Sequence, residues 1–275
     1  MEIKENMENK DMELKENLEK INENIQKNTE KTQKNDEKPL KYDKNQDLIV
    51  LYEDNQIIVV IKPQNVPSQS DITGDKDMLS MVKEYVKKKY NKEGEAFIGL
   101  VHRLDRPTGG IMVFARTSKS ASRLSEQIKN NQMQKIYYAV TTKIPQQKSG
   151  NLINYLKKDE KNNIVKIVPQ SESGAKLAEL GYKVLQTNEN LALVEVKLKT
   201  GRSHQIRVQF AGINCPLYGD NKYGKERKLS NNLGLWAGRL EFTHPTTKQK
   251  MTFACPPDSE TAPWNKFYMD KYFLR

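Results

Sequence analysis

Val101-His102-Arg103-Leu104-Asp105-Arg106-Pro107-Thr108-Gly109-Gly110-Ile111 sets one aspartate between two arginines and then runs into the apolar stretch 111–115. Pro107 fixes one backbone angle while Gly109 and Gly110 free two others. The segment therefore reads as a sharp turn feeding a buried strand, with Asp105 and Arg103 presented at the rim of a sheet. Positive charge beside a carboxylate favours its ionised form, and an ionised carboxylate can act as a nucleophile. Read alone, the stretch is equally a surface turn carrying an ordinary ion pair.

On the N-terminal side, the apolar runs 48–52 and 57–61 flank the turn former Asp54-Asn55 and read as two short strands. Lys62-Pro63-Gln64-Asn65-Val66-Pro67 breaks the pattern. Apolar residues at 78, 79, 82, 85 and 86 then predict a helix that starts near Asp75 or Asp77. On the C-terminal side, Ser118 is expected to cap a helix running to Ile128, and strands are expected at 136–140, 182–185 and 191–198. Short loops and the lack of a βαβ rhythm predict an α+β fold: a mixed, mostly antiparallel sheet with flanking helices and loops.

Two further stretches carry chemistry. In Lys199-Thr200-Gly201-Arg202-Ser203-His204-Gln205-Ile206-Arg207-Val208-Gln209, Gly201 allows a tight turn and Ser203 can cap a helix. That helix would put Ser203 and Arg207 on one face and supply a second arginine to a buried carboxylate, while Arg202 suits phosphate or solvent. Leu235-Trp236-Ala237-Gly238-Arg239-Leu240-Glu241-Phe242-Thr243-His244-Pro245 reads as an apolar strand and a turn, with Leu235 and Trp236 as core. His102, His204 and His244 all fall in these three stretches without HxH or HxxxH spacing, so no metal site is expected. Cys215 and Cys255 form no CxxC pair and are expected to be buried structural thiols.

Charge is distributed unevenly. Residues 1–46 hold 10 Lys against 12 acidic residues and no Gly, Trp or Phe, which predicts a disordered or transiently helical tail of charge −2. Met7, Leu14 and Ile21 fall at heptad spacing there, over too short a span to predict a stable coiled coil. The domain expected over 47–275 carries the remaining +13 and should seek a polyanion. The charged N-terminus has no apolar core of a secretory signal, and no apolar run is long enough for a bilayer, so a cytoplasmic protein is expected.

The chain resembles the RluA-type family of pseudouridine synthases. His102-Arg103-Leu104-Asp105-Arg106 is similar to its HRLD motif, and Gly201-Arg202-Ser203-His204-Gln205-Ile206-Arg207 to its GRxHQIR motif. Asp54 with Lys62-Pro63, Lys135-Ile136-Tyr137, the Pro216-Leu217-Tyr218-Gly219-Asp220 stretch with Tyr223-Gly224, and Thr243-His244-Pro245 resemble further elements in the same order, over residues 48 to 257. The resemblance implies the pseudouridine synthase fold, no cofactor, and isomerisation of uridines in a structured ribosomal or transfer RNA, with no obligate protein partner. It implies Asp105 as the reacting carboxylate, Arg207 as its partner, and Tyr137 as a stacking residue that can assist proton removal. It further implies Arg103 as the base-flipping residue; Leu235 is the expected apolar wall opposite Tyr137. The family usually has Ser where Gly109 stands and often His where Trp236 stands, and residues 1–46 have too few apolar positions to be expected to form the S4-type RNA-binding module that many relatives carry. The Gly109 departure leaves room for an alternative, an RNA-binding or RNA-folding factor that has lost catalysis. A metal-dependent nuclease lacks the required carboxylate cluster.

Overall fold

The computed structural model describes residues 48–91, 93–224 and 232–273, all within the compact unit Tyr42–Arg275. The tail expected over 1–46 lies outside the described residues. Strict side-chain alternation builds a sheet with two apolar faces. In β2 (Ile57–Lys62), Ile58 and Val60 enter one core, while Ile57, Val59 and Ile61 enter the other. The same parity splits β4 (Gly109–Ala115), with Met112 and Phe114 on the first face and Ile111 and Val113 on the second. In β5 (Gln134–Thr141) it sends Tyr137 and Ala139 one way and Ile136, Tyr138 and Val140 the other.

The remaining strands are β1 (Val50–Glu53), β3 (Gly99–Leu100), β6 (Ser149–Asp159), β7 (Ile164–Val168), β8 (Lys176–Asn188), β9 (Leu191–Leu198), β10 (Leu235–Thr243) and β11 (Lys250–Ala254). They form one sheet in the order β1-β2-β4-β10-β5-β9-β8-β6-β7, with β3 added to β4 and β11 to β10. Among the described strands, the single parallel contact joins β4 to β10; the other pairings are antiparallel. Helices α1 (Met78–Lys89) and α3 (Gln205–Gly212) cover the first face, and α2 (Ser118–Lys129) packs Leu124 on the second with Trp264, Phe267 and Met269. Among the described residues no helix is long and apolar enough to cross a membrane.

The α+β expectation holds, and so does Asp77 as the α1 cap, where its side chain accepts from the Ser80 N–H. The cap of α2 is Thr117 instead of Ser118: the cap residue keeps extended backbone, and Thr117 accepts the Ser120 N–H at 3.1 Å. Ser203 does not cap α3 and shares no helix face with Arg207. Gln205 Oε1 accepts from the Arg202 N–H and the Thr200 hydroxyl and closes the turn before the helix begins, leaving His204 left-handed at its start. The sequence pattern missed β6 and β7, and found only the middle of β8. One face of the β6–β8 region is open, yet the alternation this should give is blurred, because the open face carries the apolar Ile153 and Leu177 while Asn154 on the covered face accepts from Gln209 Nε2.

The parallel seam explains both departures from the family pattern at once. Gly109 pairs with Trp236, and Gly110, in a left-handed conformation (φ 122°), pairs with Ala237. A Cβ on Gly109 would lie 2.7 Å from Trp236 Cε3 and 2.9 Å from Gln64 Cγ, while the indole Nε1–H donates to the Cys255 carbonyl at 2.8 Å. The indole occupies the space that a serine at 109 would need. Gly109→Ser is therefore expected to destabilise the fold by about 1–3 kcal/mol through overpacking. The double variant Gly109→Ser/Trp236→His should recover part of that loss, read as melting temperature; a single variant as stable as the parent would remove this account.

Candidate active site

The turn that carries Asp105 is held from several sides. Ser68, buried beneath it, clamps the Leu104 peptide: its hydroxyl donates to the Leu104 carbonyl at 2.8 Å and its oxygen accepts the Leu104 N–H at 3.1 Å. Gln64 Nε2 donates to the Pro107 carbonyl at 3.0 Å, and the Thr108 N–H closes the turn onto the Asp105 carbonyl at 2.9 Å. Lys62, fully buried, donates from Nζ to the Pro63 and Arg106 carbonyls at 2.9 Å each. Burial pushes its ammonium down to about 7, against the pull of the Asp105 charge. So fixed, the turn delivers Asp105, with 28% of its side chain exposed, to the seam between β4 and β10.

The two flanking arginines do not serve Asp105 as the sequence suggested. Arg106 turns away to Asp71, Asp75 and Thr73, because the 71–75 loop offers it acceptors on the outer side of the turn. Arg103 is exposed at the cleft rim. The cation that approaches Asp105 is Arg207, whose Nη1 lies 4.0 Å from Oδ2. The firmer partner of Arg207 is nonetheless Asp220, a residue to which the sequence reading gave no role. Arg207 Nε and Nη2 donate to its two oxygens at 2.8 and 2.7 Å, and both side chains are buried. A bidentate pair of this kind fixes the plane of the guanidinium and leaves Nη1 directed to the cleft. Asp220 was visible in the Gly219-Asp220 turn ahead of Tyr223, but nothing in its spacing identified the partner.

Tyr137 is buried at the base of the same cleft, and its hydroxyl has no partner among the described residues. Burial, with the Asp105 charge adding, raises its phenol and keeps it protonated. Leu235 is likewise buried and lines the cleft, but it stands beside Tyr137 on the neighbouring strand, opposite Ala139, and not across the cleft. Strand pairing sets this placement: β10 runs against β5, so both side chains leave the same sheet face. The histidines are spoken for separately. His102 Nε2 accepts the Val113 N–H at 3.1 Å and is kept neutral by burial, pushed down to about 3. His204 Nδ1 meets the Tyr223 hydroxyl at 2.7 Å, and His244 Nε2 meets Asp54 at 2.8 Å, tying the closing His-Pro turn to the opening one. Cys215 is buried as expected, whereas Cys255, the residue after β11 ends, is only partly so.

Arg103, Asp105, Tyr137, His204, Arg207 and Leu235 line an open cleft of about 1710 Å³. That exceeds the span of ordinary small-molecule pockets and suits a polymer. Lys129, Lys135, Lys158, Arg202 and Lys222 join Arg103 around it. A rim of this composition offers phosphate contacts along an extended chain. Inside it the Asp105 carboxylate faces the fixed Arg207 guanidinium, beside an aromatic ring and an apolar wall. That set can hold a planar base against Tyr137 and act on it with Asp105.

The family model described as RNA pseudouridylate synthase matches residues 56–212. An RNA pseudouridine synthase of Bacillus subtilis, YhcT, is 31% identical over 213 residues, spanning 76% of this chain and 68% of that one. A Mycoplasma pneumoniae RNA pseudouridine synthase is 33% identical over 213 residues, with 77% and 67% covered. The ribosomal large subunit pseudouridine synthase C of Rickettsia bellii is 36% identical over 181 residues, with 66% and 58% covered. Among solved structures, human RNA pseudouridylate synthase domain containing 4 superposes with a TM-score of 0.65 at 24% identity, covering 79% of this chain and 90% of that one, which establishes the shared fold.

Proposed function

Because the chain belongs to the RNA pseudouridylate synthase family and is therefore an isomerase of uridine in RNA, we propose that it modifies specific uridines of a structured ribosomal or transfer RNA by base flipping and an aspartate-dependent C-glycoside rearrangement. The convergence of Asp105, Arg207 and Tyr137 on one open basic cleft carries this reading.

The reaction breaks the N1–C1′ bond of uridine, turns the base, joins C5 to C1′, and moves the C5 proton to solvent as N1 gains one. The formula is unchanged, so no oxidant, reductant or energy source is needed. The uracil must leave the stack to be reached. Arg103 is exposed at the rim, and in this reading it fills the gap the base leaves, while phosphates rest on the surrounding lysines and arginines. Tyr137 supplies a ring for the uracil to lie on, and Leu235 extends that apolar surface. Attack at C1′, addition at C6 and proton removal at C2′ all call for an ionised carboxylate, and each would use Asp105. Arg207, held by Asp220, keeps positive charge close to that carboxylate without neutralising it. Tyr137 stays protonated, which suits a hydrogen-bonding and stacking role over one as a phenolate base.

The test is carbodiimide-based mapping of pseudouridine in total RNA from cells with and without the gene, followed by treatment of the deletion RNA with purified protein. At least one site should disappear on deletion and return on treatment. Identical maps together with no conversion in vitro would overturn the proposal.

A further inference from the structure

His204 belongs to no step described so far, yet its surroundings fix its protonation pattern. The Val165 N–H donates to the Tyr223 hydroxyl oxygen at 2.8 Å. The one proton of that hydroxyl is then available to His204 Nδ1, 2.7 Å away. Burial raises the Tyr223 phenol and lowers the His204 imidazolium, so both are neutral at physiological pH. A neutral imidazole that accepts at Nδ1 carries its hydrogen on Nε2. Nε2 has no partner among the described residues, and His204 lines the cleft with Asp105 and Arg207.

The placement is built, not incidental. His204 sits in the left-handed region (φ 51°), which few residues other than glycine occupy and which histidine, like asparagine and aspartate, enters more readily than most. Tyr223 is held beneath it by the Arg207 guanidinium over its ring at 5.2 Å and by its own N–H on Asp220 Oδ1 at 3.1 Å. The group that orients His204 thus shares partners with the group that orients Arg207. The result is a fixed, uncharged N–H donor in the wall of the cleft that also holds the reacting carboxylate.

We infer that His204 Nε2–H is a specificity-determining donor to the C4 carbonyl oxygen of the flipped uracil, with Tyr223 as the residue that sets its tautomer. This rests on the reading of the cleft as the uridine site. A neutral donor adds little for a phosphate, which the rim cations already serve, but it distinguishes pyrimidines. Uracil presents an acceptor oxygen at C4 where cytosine presents an amino group. A buried donor left facing another donor loses its hydrogen bond and rejects the wrong base.

The experiment uses a stem-loop RNA spanning a site found by the mapping above, made with uridine or cytidine at the target position. The full-length protein converts the uridine form, and the cytidine form is tested as a competitive inhibitor. For the parent, the inhibition constant of the cytidine RNA should exceed the KM of the uridine RNA at least about tenfold. In His204→Phe the two should become equal, with kcat/KM on uridine down about 10- to 100-fold. His204→Gln, which keeps a side-chain N–H, should recover part of both. Tyr223→Phe, which frees the tautomer and leaves the ring in place, should lower discrimination several-fold in the same direction. A His204→Phe protein that still prefers uridine as the parent does overturns the inference, and if His204→Phe does not fold, unchanged discrimination in both Tyr223→Phe and His204→Gln does so. A parent with no activity on any mapped RNA fails earlier and removes the uridine-site reading itself.

Discussion

Asp105→Asn is expected to abolish pseudouridine formation, by about 10⁴-fold or more, while RNA affinity stays within a few-fold of the parent. The amide has nearly the shape of the carboxylate, so Ser68, Gln64 and Lys62 continue to hold the turn through the backbone of its neighbours. What disappears is the negative charge that attacks or accepts a proton, and loss of a reacting group leaves only binding and positioning. Affinity survives because it comes from the rim cations and the base-stacking surface. The measurement is single-turnover conversion of the target RNA alongside equilibrium binding by fluorescence anisotropy. Conversion at the parental rate would show that Asp105 is not the reacting group. A collapse of binding in step with conversion would mean the variant disturbs the cleft and not the chemistry. The same variant decides against a purely RNA-folding role, since a chaperone would retain its activity in cells.

Strands apolar at every position were legible from sequence: residues 57–61 and 111–115 send side chains into two cores, so they had to be interior. The distal β6–β7 hairpin was not, because apolar Ile153 on its open face and polar Asn154 on its covered face blur the period of two. The Asp105 turn was visible in Pro107 and the glycine pair, yet its nearest arginines proved to be the wrong partners. Sequence neighbours on a turn diverge, and Arg106 finds Asp71 and Asp75 on the far side. Arg207 was found through motif likeness. Its tether Asp220 and the His204–Tyr223 contact were not, since pairings between a helix and a later turn leave no local pattern. Gly109 and Trp236 looked like two separate irregularities in the sequence. Only the β4–β10 register shows them to be one packing arrangement.

Asp220→Asn is expected to cost about 3–5 kcal/mol of stability at neutral pH, the scale for removing one partner of a buried ion pair. Asp220 accepts four hydrogen bonds: two from Arg207, and the Lys222 and Tyr223 N–H groups at 3.0 and 3.1 Å. An amide nitrogen cannot accept, so at least one of these donors is left facing another donor, and the Arg207 charge remains buried without its counter-ion. Burial on its own raises the Asp220 carboxyl, but the hydrogen bonds and charge of Arg207, with the two backbone N–H groups, bring it below the usual carboxylate range. A group lowered on folding contributes stability that is complete above its unfolded pKa, about 3.9, and lost as pH falls through its lower folded value. The stability gap between parent and Asp220→Asn should therefore be constant from about pH 5 upward and narrow below about pH 4. Urea unfolding of both proteins at a series of pH values measures it. A gap that is absent at neutral pH would show that Arg207 has found another partner, and a gap that widens in acid would reverse the sign assigned to this carboxylate. Activity offers a separate check, because Asp220 holds the guanidinium whose third nitrogen faces Asp105 at 4.0 Å. With that tether cut, kcat should fall in protein that is still folded at low temperature, since Arg207 is then free to close on Asp105 and occupy the carboxylate that the uridine must reach.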